Sequence, residues 1–119
     1  TKEEAEFEKN WFSSTIEDLK KALVGFDFIE IYKGWIPDRF PEVEHKRFAF
    51  VHVDVDLYQP TLDSLKFFYP RLMPGGVIVV DDYGYSVFPG AKRAVDEFVR
   101  DIDCSLFYET PMGSCFIIK

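Results

Sequence analysis

Four aspartates close two apolar runs: Asp54 and Asp56 follow "RFAFVHV", and Asp81 and Asp82 follow "GGVIVV". If both runs are strands of a parallel sheet joined by one helical crossover, they are neighbours and their carboxyl ends converge. Carboxylates held within a few ångströms repel, and one or more takes up a proton unless a cation neutralises them. Hard divalent ions such as Mg²⁺ bind through carboxylates plus water or substrate oxygens. Such an ion would lower the pKa of a substrate hydroxyl and orient it for transfer. The same residues have a second reading. An aspartate after a strand also caps the next helix or opens a turn, and Asp56 stands where it would do so ahead of the helix containing Pro60.

The surrounding pattern supplies the elements that must position them. Residues Thr1 to Phe12 are acidic, with Glu3, Glu4, Glu6 and Glu8, then aromatic at Trp11 and Phe12. They read as a helical turn or a surface segment. Ser14 and Glu17 form a capping box for a helix whose stripe is Ile16, Leu19, Leu23 and Val24, with Gly25 as its stop. "FDFIEIYKG", Phe26 to Gly34, alternates and predicts a strand. A loop with Pro37 and Pro41 follows. "RFAFVHVDV", Arg47 to Val55, is the next strand, apolar enough to be buried on both faces. "PTLDSLKFFYPRL" predicts a helix with Pro60 near its first turn. Pro74-Gly75-Gly76 predicts a tight turn into the strand "VIVVDDY". "PGAKRAVDEFVRDI" predicts a helix with Ala91, Ala94, Val95, Phe98 and Ile102 inward. "SLFYET" and "CFIIK" predict an antiparallel hairpin around Pro111-Met112-Gly113. The order is that of an α/β fold with a mostly parallel sheet and a C-terminal antiparallel hairpin.

Composition narrows the function. With 119 residues, the chain is expected to form a single domain. It carries a net charge of −7 with no Lys/Arg run, which argues against nucleic acid as a partner. No run approaches the roughly 20 apolar residues of a membrane span, and no signal peptide is visible. Cys104 and Cys115 fit neither a CxxC motif nor a zinc set, and read as core thiols in a reducing, cytoplasmic compartment. His52 reads as a satisfied strand-interior histidine, Tyr58 and Tyr83 as packing aromatics, and Lys92 and Arg93 as a solvated helix face.

"FVHVDVDLYQPTLDSLKFFYPRLMPGGVIVVDDYG" followed by "FPGAKRAVDEF" resembles the macrocin O-methyltransferase family. Asp-Val-Asp-Leu-Tyr, Pro-Gly-Gly and Asp-Asp-Tyr-Gly, in this order, carry the resemblance. It implies a Rossmann-like class I methyltransferase that uses S-adenosylmethionine and a divalent cation, as the more distant catechol O-methyltransferase does. The acceptor it implies is a small-molecule hydroxyl, on a sugar or related natural product. Its metal ligands fall on Asp54, Asp81 and Asp82, and Asp54 also fits its general base. The loop Tyr32 to Phe40 matches one near the cofactor's adenine end.

The family opens with a strand, a glycine-rich loop and a helix for the cofactor, and this sequence has no G-x-G-x-x-G after an early strand. Residues 1–119 are therefore expected to be the C-terminal part of a methyltransferase domain, with cofactor-binding residues unassigned. In the family fold, the strand ending in Asp54 lies beside the first strand. Without it, an apolar edge would be left, which predicts either insertion of the Phe28–Tyr32 strand or a homodimer, the latter favoured. Two other readings stay open: a non-catalytic module that oligomerises and at most binds a divalent ion, and an α/β ligand binder whose aspartates only cap helices.

Overall fold

The structure, a computed structural model, describes residues 14–119. The acidic-then-aromatic segment up to Phe12 lies outside the described residues. The chain falls into two compact units, Thr1–Gly34 and Trp35–Lys119.

In the first unit, α1 spans Ile16–Ala22. The expected capping box is displaced by one residue. Thr15, not Ser14, caps the helix, its hydroxyl accepting from the Asp18 backbone N–H at 3.1 Å. Thr15 and Asp18 have the same three-residue spacing as Ser14 and Glu17, and both hydroxyl residues suit a cap, so spacing alone does not choose between them. Glu17 and Asp18 in the first turn and Lys20 and Lys21 in the last both complement the helix dipole. The chain leaves the helix through Gly25, whose φ of +95° favours glycine.

The strand expected over Phe26 to Gly34 does not form. The segment turns at Asp27-Phe28, then continues without joining a ladder. Alternating residues create a strand only where a neighbour takes up the backbone groups. Here Phe26, Phe28 and Tyr32 are exposed.

The second unit carries a mixed four-stranded sheet in the order β1-β2-β4-β3. Its elements are β1 (Phe48–Val53), α2 (Tyr58–Phe68), β2 (Leu72–Val80), α3 (Pro89–Arg100), β3 (Leu106–Glu109) and β4 (Cys115–Ile118). β1 and β2 are parallel, while β4 runs antiparallel to both β2 and β3. Helix α2 begins two residues before Pro60 and ends in a 3₁₀ turn at Tyr69–Arg71. The Pro74-Gly75-Gly76 turn lies inside β2. It shifts the register there, since Phe48 pairs with Leu72 but Phe50 with Val77. Gly75 there has φ +78° and donates its N–H to the Lys119 carbonyl.

Val51, Val53, Ile78, Val80 and Ile117 pack with Leu65 of α2 and Val95 of α3 into the core. The alternate residues turn to the other face. The two-sided burial expected for β1 is therefore half met: Phe50 is 61% exposed. His52 is likewise exposed, not a core histidine. Both follow from the two-residue period of a strand covered by α2 and α3 on one face.

Cys104 and Cys115 are free thiols. Cys115 pairs with Glu109 and Ile118 with Leu106, so Cys104 lies beyond the ladder and not opposite Cys115. Burial pushes the Cys115 thiol up to about 12, the behaviour of an inert core residue. Among the described residues, no helix is long and apolar enough to cross a membrane.

Candidate active site

The carboxyl ends of β1 and β2 open onto two short turns. The Asp81 N–H donates to the Val53 carbonyl at 2.9 Å, carrying the parallel ladder one residue past β2 and setting the turn 81–84 against the end of β1. On the β1 side, Leu57 N–H donates to the Val55 carbonyl and closes a three-residue turn about Asp56. Asp56 has φ +57°, a conformation that aspartate visits more readily than most residues. The Asp56 N–H then donates to Asp82 Oδ2 at 3.3 Å and ties the two turns together.

One carboxylate oxygen from each of Asp54, Asp56 and Asp82 lies within 4.8 Å of the others. Asp54 and Asp82, expected as ligands, are thus brought together, and Asp56 joins them. The helix-capping reading of Asp56 is not met: the N-cap of α2 is Leu57, without a side-chain cap. Asp81 lies outside this group. Its Oδ1 stands 3.4 Å from His52 Nε2, both side chains about half exposed. In the turn after β2, the Asp81 side chain stays half exposed while Asp82 turns inward, at 6% exposure.

The electrostatics follow. Burial, then the hydrogen bond and charge of Asp56 and the charge of Asp54, push the Asp82 carboxyl up to about 7. Burial also raises Asp54, and the charges of Asp81 and Asp56 add to it. The residues present fit a hard cation: three oxygens converge, and their mutual repulsion is what a divalent charge relieves.

Sequence reasoning missed the side-chain network beside these turns. Tyr83 is 4% exposed, and its hydroxyl donates to Asp96 Oδ1 at 2.7 Å. Lys92 bonds both, at 2.6 Å to Asp96 and 3.2 Å to the Tyr83 hydroxyl. Tyr58 donates to Glu97 Oε2 at 2.6 Å, and Arg93 Nε donates to Glu97 Oε1 at 3.0 Å. The signal was available, since Lys92–Asp96 and Arg93–Glu97 are both four-residue helical pairs.

A parallel β-α-β unit with a carboxylate cluster at its strand ends, its sheet continued by an antiparallel hairpin whose last strand lies innermost, is the fold of a class I methyltransferase. The solved O-methyltransferase NovP superposes on 88% of this chain and 45% of its own, with a TM-score of 0.65 and 25% identity. The chain belongs to the macrocin-O-methyltransferase (TylF) family, whose sequence profile matches residues 13–106. The mycinamicin III 3''-O-methyltransferase of Micromonospora griseorubida is 38% identical over 72 residues, which are 60% of this chain and 27% of that enzyme. The demethyldecarbamoylnovobiocin O-methyltransferase of Streptomyces niveus is 32% identical over 91 residues, 73% of this chain and 34% of that enzyme. The structure of CalS11, a TDP-rhamnose 3'-O-methyltransferase, shares the fold at a TM-score of 0.53 and 22% identity. The chain thus spans about a third or less of the length of the curated relatives named here.

Proposed function

We propose that this chain is the acceptor-side part of a cytoplasmic S-adenosylmethionine-dependent O-methyltransferase that acts, with a divalent cation such as Mg²⁺, on a hydroxyl of a sugar or natural-product-like small molecule. The observation that carries the reading is the convergence of Asp54, Asp56 and Asp82 around a carboxyl buried in Asp82. The named relatives, which are O-methyltransferases of antibiotic-type molecules, support the acceptor class.

Asp54 and Asp82 would hold the cation, with Asp56 in the same cluster. Asp81 is the third carboxylate that the family resemblance assigns, and its charge already reaches Asp54. A bound cation supplies positive charge that favours the ionised form of an acceptor hydroxyl. Asp54 would accept that hydroxyl's proton on a carboxylate oxygen. The described residues contain no glycine-rich loop between a strand and a helix, so they do not fit the methionine half of S-adenosylmethionine. The cofactor reading rests on family membership and applies to a longer protein that carries such a loop.

The test uses that longer protein with a sugar acceptor. Methyl transfer should stop when divalent ions are chelated, and Asp54→Asn should lower the rate by about 100-fold or more. Turnover that survives chelation, with Asp54→Asn unchanged, would remove the reading.

A second reading has its own observation. β1 is an edge strand, its outer backbone unpaired by any strand among the described residues, and Phe50 stands exposed on it. Such an edge suits a homodimer, whether the chain is catalytic or only an oligomerising module.

A further inference from the structure

The tyrosines and charges of α3 form two copies of one arrangement, side by side. Asp96 receives the Tyr83 hydroxyl at 2.7 Å, and Glu97, the next residue, receives the Tyr58 hydroxyl at 2.6 Å. Each carboxylate is bonded by the cation four residues before it, Lys92 for Asp96 and Arg93 for Glu97. Each cation also lies over the ring of the tyrosine concerned, at 4.7 Å for Lys92 on Tyr83 and 4.3 Å for Arg93 on Tyr58.

The two tyrosines are not equivalent in the chain. Tyr83 follows Asp82 directly, in the turn after β2, and Tyr58 follows the Asp56 turn directly. One helix therefore grips both sides of the carboxylate cluster. The grip is close. A Cβ on Gly90, in the first turn of α3, would stand 2.8 Å from the Tyr58 backbone nitrogen. The Tyr83 side is fixed further by its ring edge-on to Phe107 at 5.5 Å and by the Gly84 N–H donating to the Gly113 carbonyl.

We propose that Tyr58 and Tyr83 are positioning residues: their paired hydroxyl anchors on Glu97 and Asp96 make α3 a clamp that sets the spacing of the Asp56 and Asp82 turns. This rests on the reading of the aspartate cluster as the site. The tyrosine rings alone would hold α3 in place. The hydroxyls add a fixed distance, because a short bond to a carboxylate that a cation also holds leaves little freedom.

The test compares the wild-type chain with Tyr58→Phe, Tyr83→Phe and the double variant, which keep the rings. Amide hydrogen exchange is read at residues 55–57 and 82–84, and Mn²⁺ affinity by titration. Each single variant should speed exchange in its own turn by about 10-fold and leave the centre of β2 unchanged. The double variant should bind Mn²⁺ about 10-fold more weakly, the usual loss when a group supporting a ligand is removed. Asp96→Ala and Glu97→Ala remove the two acceptors from the helix side should a tyrosine variant fold poorly. Unchanged exchange in both turns overturns the clamp, as does a uniform rise across the whole chain. Faster turns with unaltered Mn²⁺ affinity overturn the positioning role. If the wild type binds no Mn²⁺ but the turn-specific effect is present, the clamp stands and the metal reading falls.

Discussion

The two ends of the β1–α2–β2 unit are built on opposite principles. At the carboxyl end of the strands, three aspartates crowd together and one carboxyl is buried. At the other end, Phe40, Phe48, Phe67 and Phe68 form a ring cluster. Phe40 stacks on Phe67 at 4.5 Å, and Phe68 meets Phe40 and Phe48 edge-on at 5.0 and 5.2 Å. The Arg71 guanidinium lies 3.9 Å over the Phe67 ring and donates to carbonyls of Phe67 and Glu44. Aromatic packing of this kind stabilises the fold, whereas clustered carboxylates destabilise it. The difference teaches where stability is held and where it is given up so that a site can exist.

The largest expected effect is at the aromatic end. Phe68→Ala should cost about 3–5 kcal/mol in denaturant unfolding, and Mn²⁺ affinity should change less than about 2-fold. A loss of binding as large as the loss of stability would show that the two ends are not separable.

The next effect is at the acidic end and depends on pH. The Asp82 carboxyl is raised from 3.8 to about 7 in the folded chain. The folded state therefore holds this proton more tightly than the unfolded state. The stability it contributes is full below about pH 4 and is lost as pH rises through about 7. Between pH 5 and 7.5 the wild type should lose about 2–3 kcal/mol relative to Asp82→Asn. Parallel pH profiles of the two proteins would refute the buried, repelled carboxyl, and saturating Mg²⁺ should flatten the wild-type profile.

The smallest effect on stability belongs to Phe50, which serves neither end. Phe50→Glu should alter monomer stability by about 0.5 kcal/mol or less. Sedimentation at micromolar concentration should nonetheless shift from dimer to monomer. A wild type that sediments as a clean monomer at every concentration would remove the homodimer.

The contrast between the ends also explains what could be read in the sequence. "FVHVDVD" and "VIVVDDY" are apolar runs cut off by charge, and that change of period marks strand ends without reference to anything distant. The hairpin is local for the same reason, with Pro111 and Gly113 between two short alternating runs. The Phe28–Tyr32 alternation was as clear, but a ladder needs a second strand, and pattern says nothing of the partner. Asp81 and Asp82 are indistinguishable as letters, and only their places in the turn after β2 separate them. Asp56 entered the cluster through a left-handed backbone turn, which its type permits but does not announce.

The place of β4 has a consequence for how the chain is made. Of the four strands it is synthesised last, yet it lies between β2 and β3. Until Cys115–Ile118 emerge, the β4 side of Val77–Val80 has no ladder partner, and the β3 strand has no place in the sheet. Folding cannot follow the order of synthesis. Helices α2 and α3 can pair early, but closure of the sheet waits for a contact spanning Val77 to Ile118. A ribosome pausing before residue 115 would hold a nascent chain with an open apolar strand, the state in which a chaperone has most to do.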